Sequence, residues 1–162
     1  MARLSFTFAH SWTPASTPLT LFQIVAPSDQ RPVITNLEIS PRGSTGASVP
    51  LLFDWTVQSN AGGLVDGSGD IVKLPPLPGE SGVPRTTIRK RTDVVGAQAE
   101  PASVAGLVGV YKFSLHEMGA RPWVPPNLWR EQVISGATRW GFRYVGAGAL
   151  GYLVDTLITL EE

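Results

Sequence analysis

The stretch TRWGFRY, residues 138–144, sets Trp140, Phe142 and Tyr144 on alternate positions with Arg139 and Arg143 between them. Two readings compete. Aromatics interleaved with arginines can form a platform for bases or sugar rings. They can equally form the buried side of a strand whose other side faces water. Gly141 favours the second reading. A platform has no need of a glycine between two arginines, whereas a strand that bends or admits a close neighbour does. A Gly-rich turn (GAGALG, 146–151) and a further apolar run follow, so the two strands are expected to pair as a hairpin. The aromatics then belong to the core, and Arg139 and Arg143 face solvent or a neighbouring subunit.

The same period of two runs outward from this stretch. LSFTF (4–8) places Leu4, Phe6 and Phe8 on one face, and VITNLEIS (33–40) alternates in the same way. LLFDWTVQ (51–58) sets Leu51, Phe53, Trp55 and Val57 against Asp54, Thr56 and Gln58, the pattern of a half-buried strand. LTLFQIV (19–25) is apolar almost throughout, as a strand buried on both sides would be. LVGVYKFSLHE (107–117), EQVI (131–134) and GYLVDTLITLEE (151–162) complete the set. Turn signals separate the runs: SWTPASTP (11–18), APSDQRP (26–32), PRGSTGAS (41–48), RPWVPP (121–126) and GAGALG. No segment carries a sustained helical stripe, and NLWREQV (127–133) makes one helical turn at most. Short strands between Gly/Pro/Ser turns predict an antiparallel β-sandwich with little or no helix. Residues 59–106 stand apart. They are rich in Gly, Pro and polar residues, with weak strand candidates only at 70–74 and 86–90. A connection this long inside a compact domain makes sense if it lies over a neighbouring subunit or has a function of its own. The expected organisation is one domain over 1–162, with an N-terminal arm or first strand (1–18) and a long irregular insertion (59–106).

Composition narrows the function. With 162 residues the chain is long enough for one domain with a real core. Lys+Arg and Asp+Glu balance at 13 each, which argues against a dedicated nucleic-acid or anionic-membrane binder. Most of the basic residues are Arg, which suits planar pairing at subunit contacts better than Lys. With no cysteine there are no disulfides and no thiolate metal sites. The N-terminus lacks the apolar run of a signal peptide, and no window approaches the roughly 18 apolar residues of a membrane span. A soluble protein made in the cytoplasm is expected.

Constellations that carry chemistry are few. His10 and His116 stand apart from any metal-binding spacing, and His116, followed by Glu117 at a strand end, reads either as an acid or base or as a solvated residue. Nucleophile-elbow, P-loop and dinucleotide fingerprints are missing. VDGSGD (65–70) is a Gly-rich turn with two Asp and lacks the further oxygen ligands of a calcium loop. No catalytic, cofactor or metal residue is assigned. RTTIRKR (85–91) gathers Arg85, Arg89, Lys90 and Arg91. It reads as a patch for phosphate or an acidic partner, or as an edge strand kept from aggregating by its charges. In a neutral chain an acidic protein surface or a plain edge is favoured over nucleic acid. Trp12, Trp123 and Trp129 lie near prolines in predicted loops. Such tryptophans either mark interaction surfaces or plug the ends of a sandwich.

Several stretches, taken in order, resemble a known group. LFQIVAPSDQRPVITNLEIS (21–40) leads into GSTGASVPLLFDWTVQS (43–59), then FSLHEMGARPWVPP (113–126), and the chain closes on SGATRWGFRYVGAGALGYLVDTLITLEE (135–162). This order is similar to that of small tailed-bacteriophage structural proteins that decorate or cement the head. The resemblance covers most of the chain outside 60–105, and the chain departs from the group in its Pro-rich 74–84 segment and its extra tryptophans. It implies a jelly-roll β-sandwich that assembles on the virion exterior, commonly as trimers at local three-fold positions. The expected partners are the major capsid protein and further copies of the chain. The expected role is structural and non-enzymatic, with contacts made by the N-terminal arm and the 59–106 segment. Interface candidates are Trp12, Arg89, Lys90, Arg91, Trp123, Trp129, Arg139 and Arg143. The alternative is a carbohydrate- or receptor-binding sandwich of a tail fibre, with Trp123, Trp129 and Trp12 as its platform. An esterase or glycosidase lacks a residue set.

Overall fold

The computed structural model describes residues 4–13, 19–42, 51–59, 64–66, 71–73, 84–91, 99–113, 121–123, 139–146 and 153–162. Within them the chain is all-β. The strands are β1 (Ser5–Trp12), β2 (Leu19–Val25), β3 (Val33–Arg42), β4 (Leu51–Gln58), β5 (Val65–Asp66), β6 (Ile71–Lys73), β7 (Thr87–Lys90), β8 (Ser103–Phe113), β9 (Arg121–Trp123), β10 (Arg139–Tyr144) and β11 (Leu153–Glu161). They form two antiparallel sheets, ordered β6-β1-β11-β3-β9 and β5-β7-β2-β10-β4-β8. The sheets share one apolar core, so the architecture is a β-sandwich.

Strand β10 shows how the sequence builds it. Trp140, Phe142 and Tyr144 are buried, while Arg139 and Arg143 lie on the other side and are half-covered. Phe142 stacks on Phe53 of β4 with ring centroids 5.2 Å apart and planes 9° from parallel. On its other flank it meets Phe22 of β2, also at 5.2 Å. The facing sheet supplies Phe8, edge-on to Phe22 at 5.5 Å, and Trp12, edge-on to Phe53 at 5.6 Å. Offset and edge-on pairs of this kind contribute about 0.5–1.5 kcal/mol each beyond the area they bury. Strand β11 completes the core with a strict alternation, Val154, Thr156, Ile158 and Leu160 inside and their neighbours outside.

Two expectations change, for β10–β11 and for RPW, and two are made definite. Strands β10 and β11 are not a hairpin: β10 lies between β2 and β4, and β11 lies between β1 and β3 in the facing sheet. Each strand has one apolar face, and placing the two in opposite sheets lets those faces cover each other. Of the two forms expected for residues 1–18, an arm or a first strand, Ser5–Trp12 takes the strand. All of β1 is in register with β11, from Ser5–Glu161 to Trp12–Val154, with Phe6, Phe8 and Trp12 buried. The backbone of Leu4 exchanges hydrogen bonds with Glu162 in both directions, extending that ladder. Within the 59–106 segment, β6 and β7 fall where the weak strand candidates stood, beside β1 and β2. Finally, RPW at 121–123 is a short edge strand on β3 rather than part of a turn.

Candidate functional site

The outward side chains of the six-stranded sheet form the largest polar constellation among the described residues. LLFDWTVQ reads as a strand with a wet side, yet Asp54, Thr56 and Gln58 are all buried. So are Thr20 and Gln23 on β2, two strands away. A buried polar group without a partner is costly, so the partners define the site.

Gly141 is the pivot. It sits on β10 between Thr56 of β4 and Gln23 of β2. Because it has no side chain, the Gln58 amide lies across it and bridges to β2. A Cβ at Gly141 would fall 1.9 Å from Gln58 Oε1. That oxygen accepts from Gln23 Nε2 at 2.8 Å, and Gln58 Nε2 donates to Thr20 Oγ1 at 2.7 Å.

A bulge opens the next part. Phe142 is opposite Phe22, but Arg143 is opposite Thr20, so Leu21 is one residue in excess. The β2–β7 ladder ends at the Phe22–Lys90 pair, which leaves the backbone of Thr20 beyond it. Side chains from the following segment take over. Glu100 accepts the Thr20 N–H, at 3.0 Å on Oε1 and 2.9 Å on Oε2, and also accepts the Thr20 hydroxyl. Arg91 Nε donates to the Thr20 carbonyl at 2.7 Å, and its Nη2 donates to Glu100 Oε2 at 2.7 Å. The Arg91 side chain is only 3% exposed, so this ion pair is shielded on the cationic side.

On the β4 side Arg143 grips Asp54 with both prongs, Nε to Oδ1 at 2.8 Å and Nη2 to Oδ2 at 2.7 Å. Its Nη1 donates to Ser103 Oγ at 3.1 Å. The hydrogen bond to Asp54 raises the Arg143 pKa. Burial opposes that rise, and the charges of Asp54 and Glu100 add to it. Two arginines and two carboxylates thus match along this part of the face.

At the other end Asp66 of β5 stands opposite Arg89 in register. Arg139 and Arg89 are both outward, since their neighbours Trp140 and Ile88 belong to the core. They stand diagonally across β2, Arg139 opposite Val25 and Arg89 opposite Gln23. Arg139 Nη1 is covered and has no hydrogen-bond partner among the described residues. Burial first, and then the like charge of Arg89, lower the Arg139 pKa.

The sequence-derived candidates scatter over this frame. The basic run at 85–91 is not one patch. Arg85 pairs with Asp29 at 2.6 Å in exposed surroundings, Arg91 is spent on Glu100, and Lys90 falls on the inward side of β7, opposite Phe22. Trp12 is not a loop residue; it ends β1 and is buried against Phe53 and Tyr144. An aromatic platform therefore loses one of its three members. Trp123 is on β9, opposite Leu37 of β3. Trp129, His116 and Asp70 lie outside the described residues. Of the eight interface candidates, Trp12 and Arg91 are inside the fold, Arg143 is ion-paired, and Arg89 and Arg139 are brought together.

Thr20, Gln23, Asp54, Gln58 and Glu100 escaped the sequence reading. Asp54 and Gln58 looked solvent-facing, Thr20 and Gln23 were passed over within an apolar run, and only knowledge of which strands pair would have revealed them. The five-stranded sheet carries a separate, open depression of about 340 Å³ on its outer face. Glu38, Asp155, Ser11 and Ser40 line it, with the Ser11 hydroxyl donating to Asp155.

No family model matches the chain, and neither a curated protein nor a solved structure matches it.

Proposed function

We propose that the chain is a non-enzymatic virion structural protein that decorates and cements a bacteriophage capsid, bound on the outside across neighbouring major capsid subunits and assembled with further copies of itself. The observation that carries this reading is the matched network on the six-stranded sheet. Gln58 over Gly141, Glu100 and Arg91 on Thr20, and Arg143 on Asp54 spend the outward polar side chains on one another. Polar groups committed in this way hold strands in register and stiffen the sheet. A shell component that binds a repeated surface needs a rigid shape of this kind and little chemistry. The order of the sequence stretches that resemble head-decoration proteins supports the same reading, as does the two-sheet fold. A jelly-roll connection of the strands and a closed trimer are the finer forms of the proposal.

Mass spectrometry of purified particles tests it. The chain should be a high-copy component, and its absence from particles would contradict the proposal.

A further inference from the structure

The imidazole of His10 stands at one edge of the sandwich, where β1 of the five-stranded sheet meets the end of β7 in the six-stranded one. It shares the inward side of β1 with Phe6, Phe8 and Trp12, and the Phe8 ring lies 6.0 Å away. Its Nε2 is covered and has no hydrogen-bond partner among the described residues. The other ring nitrogen, as N–H, donates to the Arg91 backbone carbonyl just past β7. Among the described residues, the groups set around it are neutral or positive. β7 brings Lys90, opposite Phe22 of β2. β6 places Lys73 in register with Phe6. β11 brings Thr156, whose hydroxyl donates to the His10 carbonyl at 3.0 Å, and β5 places Val65 opposite Lys90. The acidic residues of these elements are engaged elsewhere. Glu100 holds Arg91 and Thr20, Asp66 stands opposite Arg89, and Asp155 lines the outer depression.

We infer that His10 is an acid-sensitive wedge between the two sheets, and that its protonation opens the corner formed by β7 and β5 while the rest of the sandwich stays closed. A proton added at Nε2 creates a donor with no acceptor in a place shielded from water, and a second positive charge beside Lys90. Both penalties vanish once the imidazole reaches water. Which strand gives way follows from the ladders. β1 is paired with β11 from Ser5 to Trp12, whereas β7 is paired with β2 only from Thr87 to Lys90, and β5 adds two pairs more. Local opening draws on the least-anchored element. The opened corner uncovers Phe22 and Ile88, both fully buried in the closed form. Burial first, and then Lys90, already hold the imidazole below its ordinary pKa, which is the same coupling seen from the closed side. The opening belongs to the chain itself, whatever it assembles with.

Amide hydrogen exchange of the full chain, read by NMR from pH 7.5 to 5 and corrected for the intrinsic effect of pH on exchange, tests it. The amides of β7 and of Arg91, whose N–H donates to the Leu21 carbonyl at 2.8 Å, should open about tenfold more often at pH 5. That is the ratio expected if the imidazole binds a proton about tenfold more tightly once the corner is open. Amides of β4 and β11 should keep their protection. The midpoint of the rise should coincide with the titration of the His10 ring protons in the unmodified chain, so the result does not depend on a variant folding. His10→Gln should remove the rise, and Lys90→Gln should shrink it. His116→Gln, at the other histidine, should leave it as in the parent. Exchange in β7 that ignores pH would mean that the imidazole reaches water without moving the strand. A rise shared equally by β4 and β11 would be global unfolding, and a rise that persists in His10→Gln would have another cause. Each of these three results would overturn the inference.

Discussion

Gly141 shows how one missing side chain organises a sheet face. The space over it is filled by the Gln58 amide, which is buried and makes hydrogen bonds of 2.8 and 2.7 Å to β2. Gly141→Ala places a methyl group 1.9 Å from that amide oxygen. Gln58 would have to swing away and leave Gln23 and Thr20 with unmet groups, a loss of about 1–3 kcal/mol. In Gln58→Ala the obstruction is gone, so the same glycine substitution should cost much less. Urea denaturation of both single variants and the double variant measures this, and strict additivity would contradict it. His10 makes a second residue-scale case. It follows the inward period of β1, near the Phe8 ring at 6.0 Å. Burial first, and then the charge of Lys90, hold its pKa below 6.5, against the raising effect of a hydrogen bond that the imidazole donates to the Arg91 backbone carbonyl. The unfolded chain therefore takes up a proton at His10 before the folded chain does. Stability from this site is full above about pH 6.5 and is lost as pH falls through the depressed folded value. Thermal melts of the parent from pH 7.5 to 5 should show that decline, and His10→Gln should flatten it. Equal slopes would remove His10 as the cause.

Among the elements, β2, β10 and β4 are joined by more than their ladders. Asp54 and Arg143 stand directly opposite one another on β4 and β10, with side chains 7% and 16% exposed. Removing one partner strands the other where water reaches it poorly. Asp54→Ala is expected to destabilise by about 2–4 kcal/mol, at or below the range for buried pairs because the arginine keeps some solvent contact. A double-mutant cycle with Arg143→Ala should show a coupling of about 1–3 kcal/mol, and a coupling near zero would mean that the bidentate pair does not hold these strands together. The same elements show what could be read in advance. Alternation placed β4, β10 and β11 because their aromatic and branched residues repeat every second position, and β2 showed itself buried on both sides by its near-lack of polar residues. The pairing of β4 with β10 was not legible, because it joins residues 89 apart such as Asp54 and Arg143. Without that pairing Asp54, Thr56 and Gln58 look like the wet side of a strand. The excess residue at Leu21 was hidden too, since a bulge arises from the register with a distant strand and leaves no local mark. Of the site, Arg139 and Arg143 were visible as the outward positions of TRWGFRY. Their different fates, one paired and one not, depend on what stands across the sheet.

For the whole molecule, the two sheets present different outer faces. One carries the ion pairs of Arg91 with Glu100 and of Arg143 with Asp54; the other carries an open depression with Glu38 and Asp155. A chain of zero formal net charge with its polar groups largely committed is suited to lasting contact by shape, with a few charges left to fix orientation. That is the demand placed on a protein cementing a shell. Quantitative mass spectrometry of purified particles tests this claim most directly. The account predicts roughly one copy per major capsid chain, as closed trimers on three-fold positions require. Absence of the chain, or only the handful of copies that a tail fibre would contribute, would contradict it.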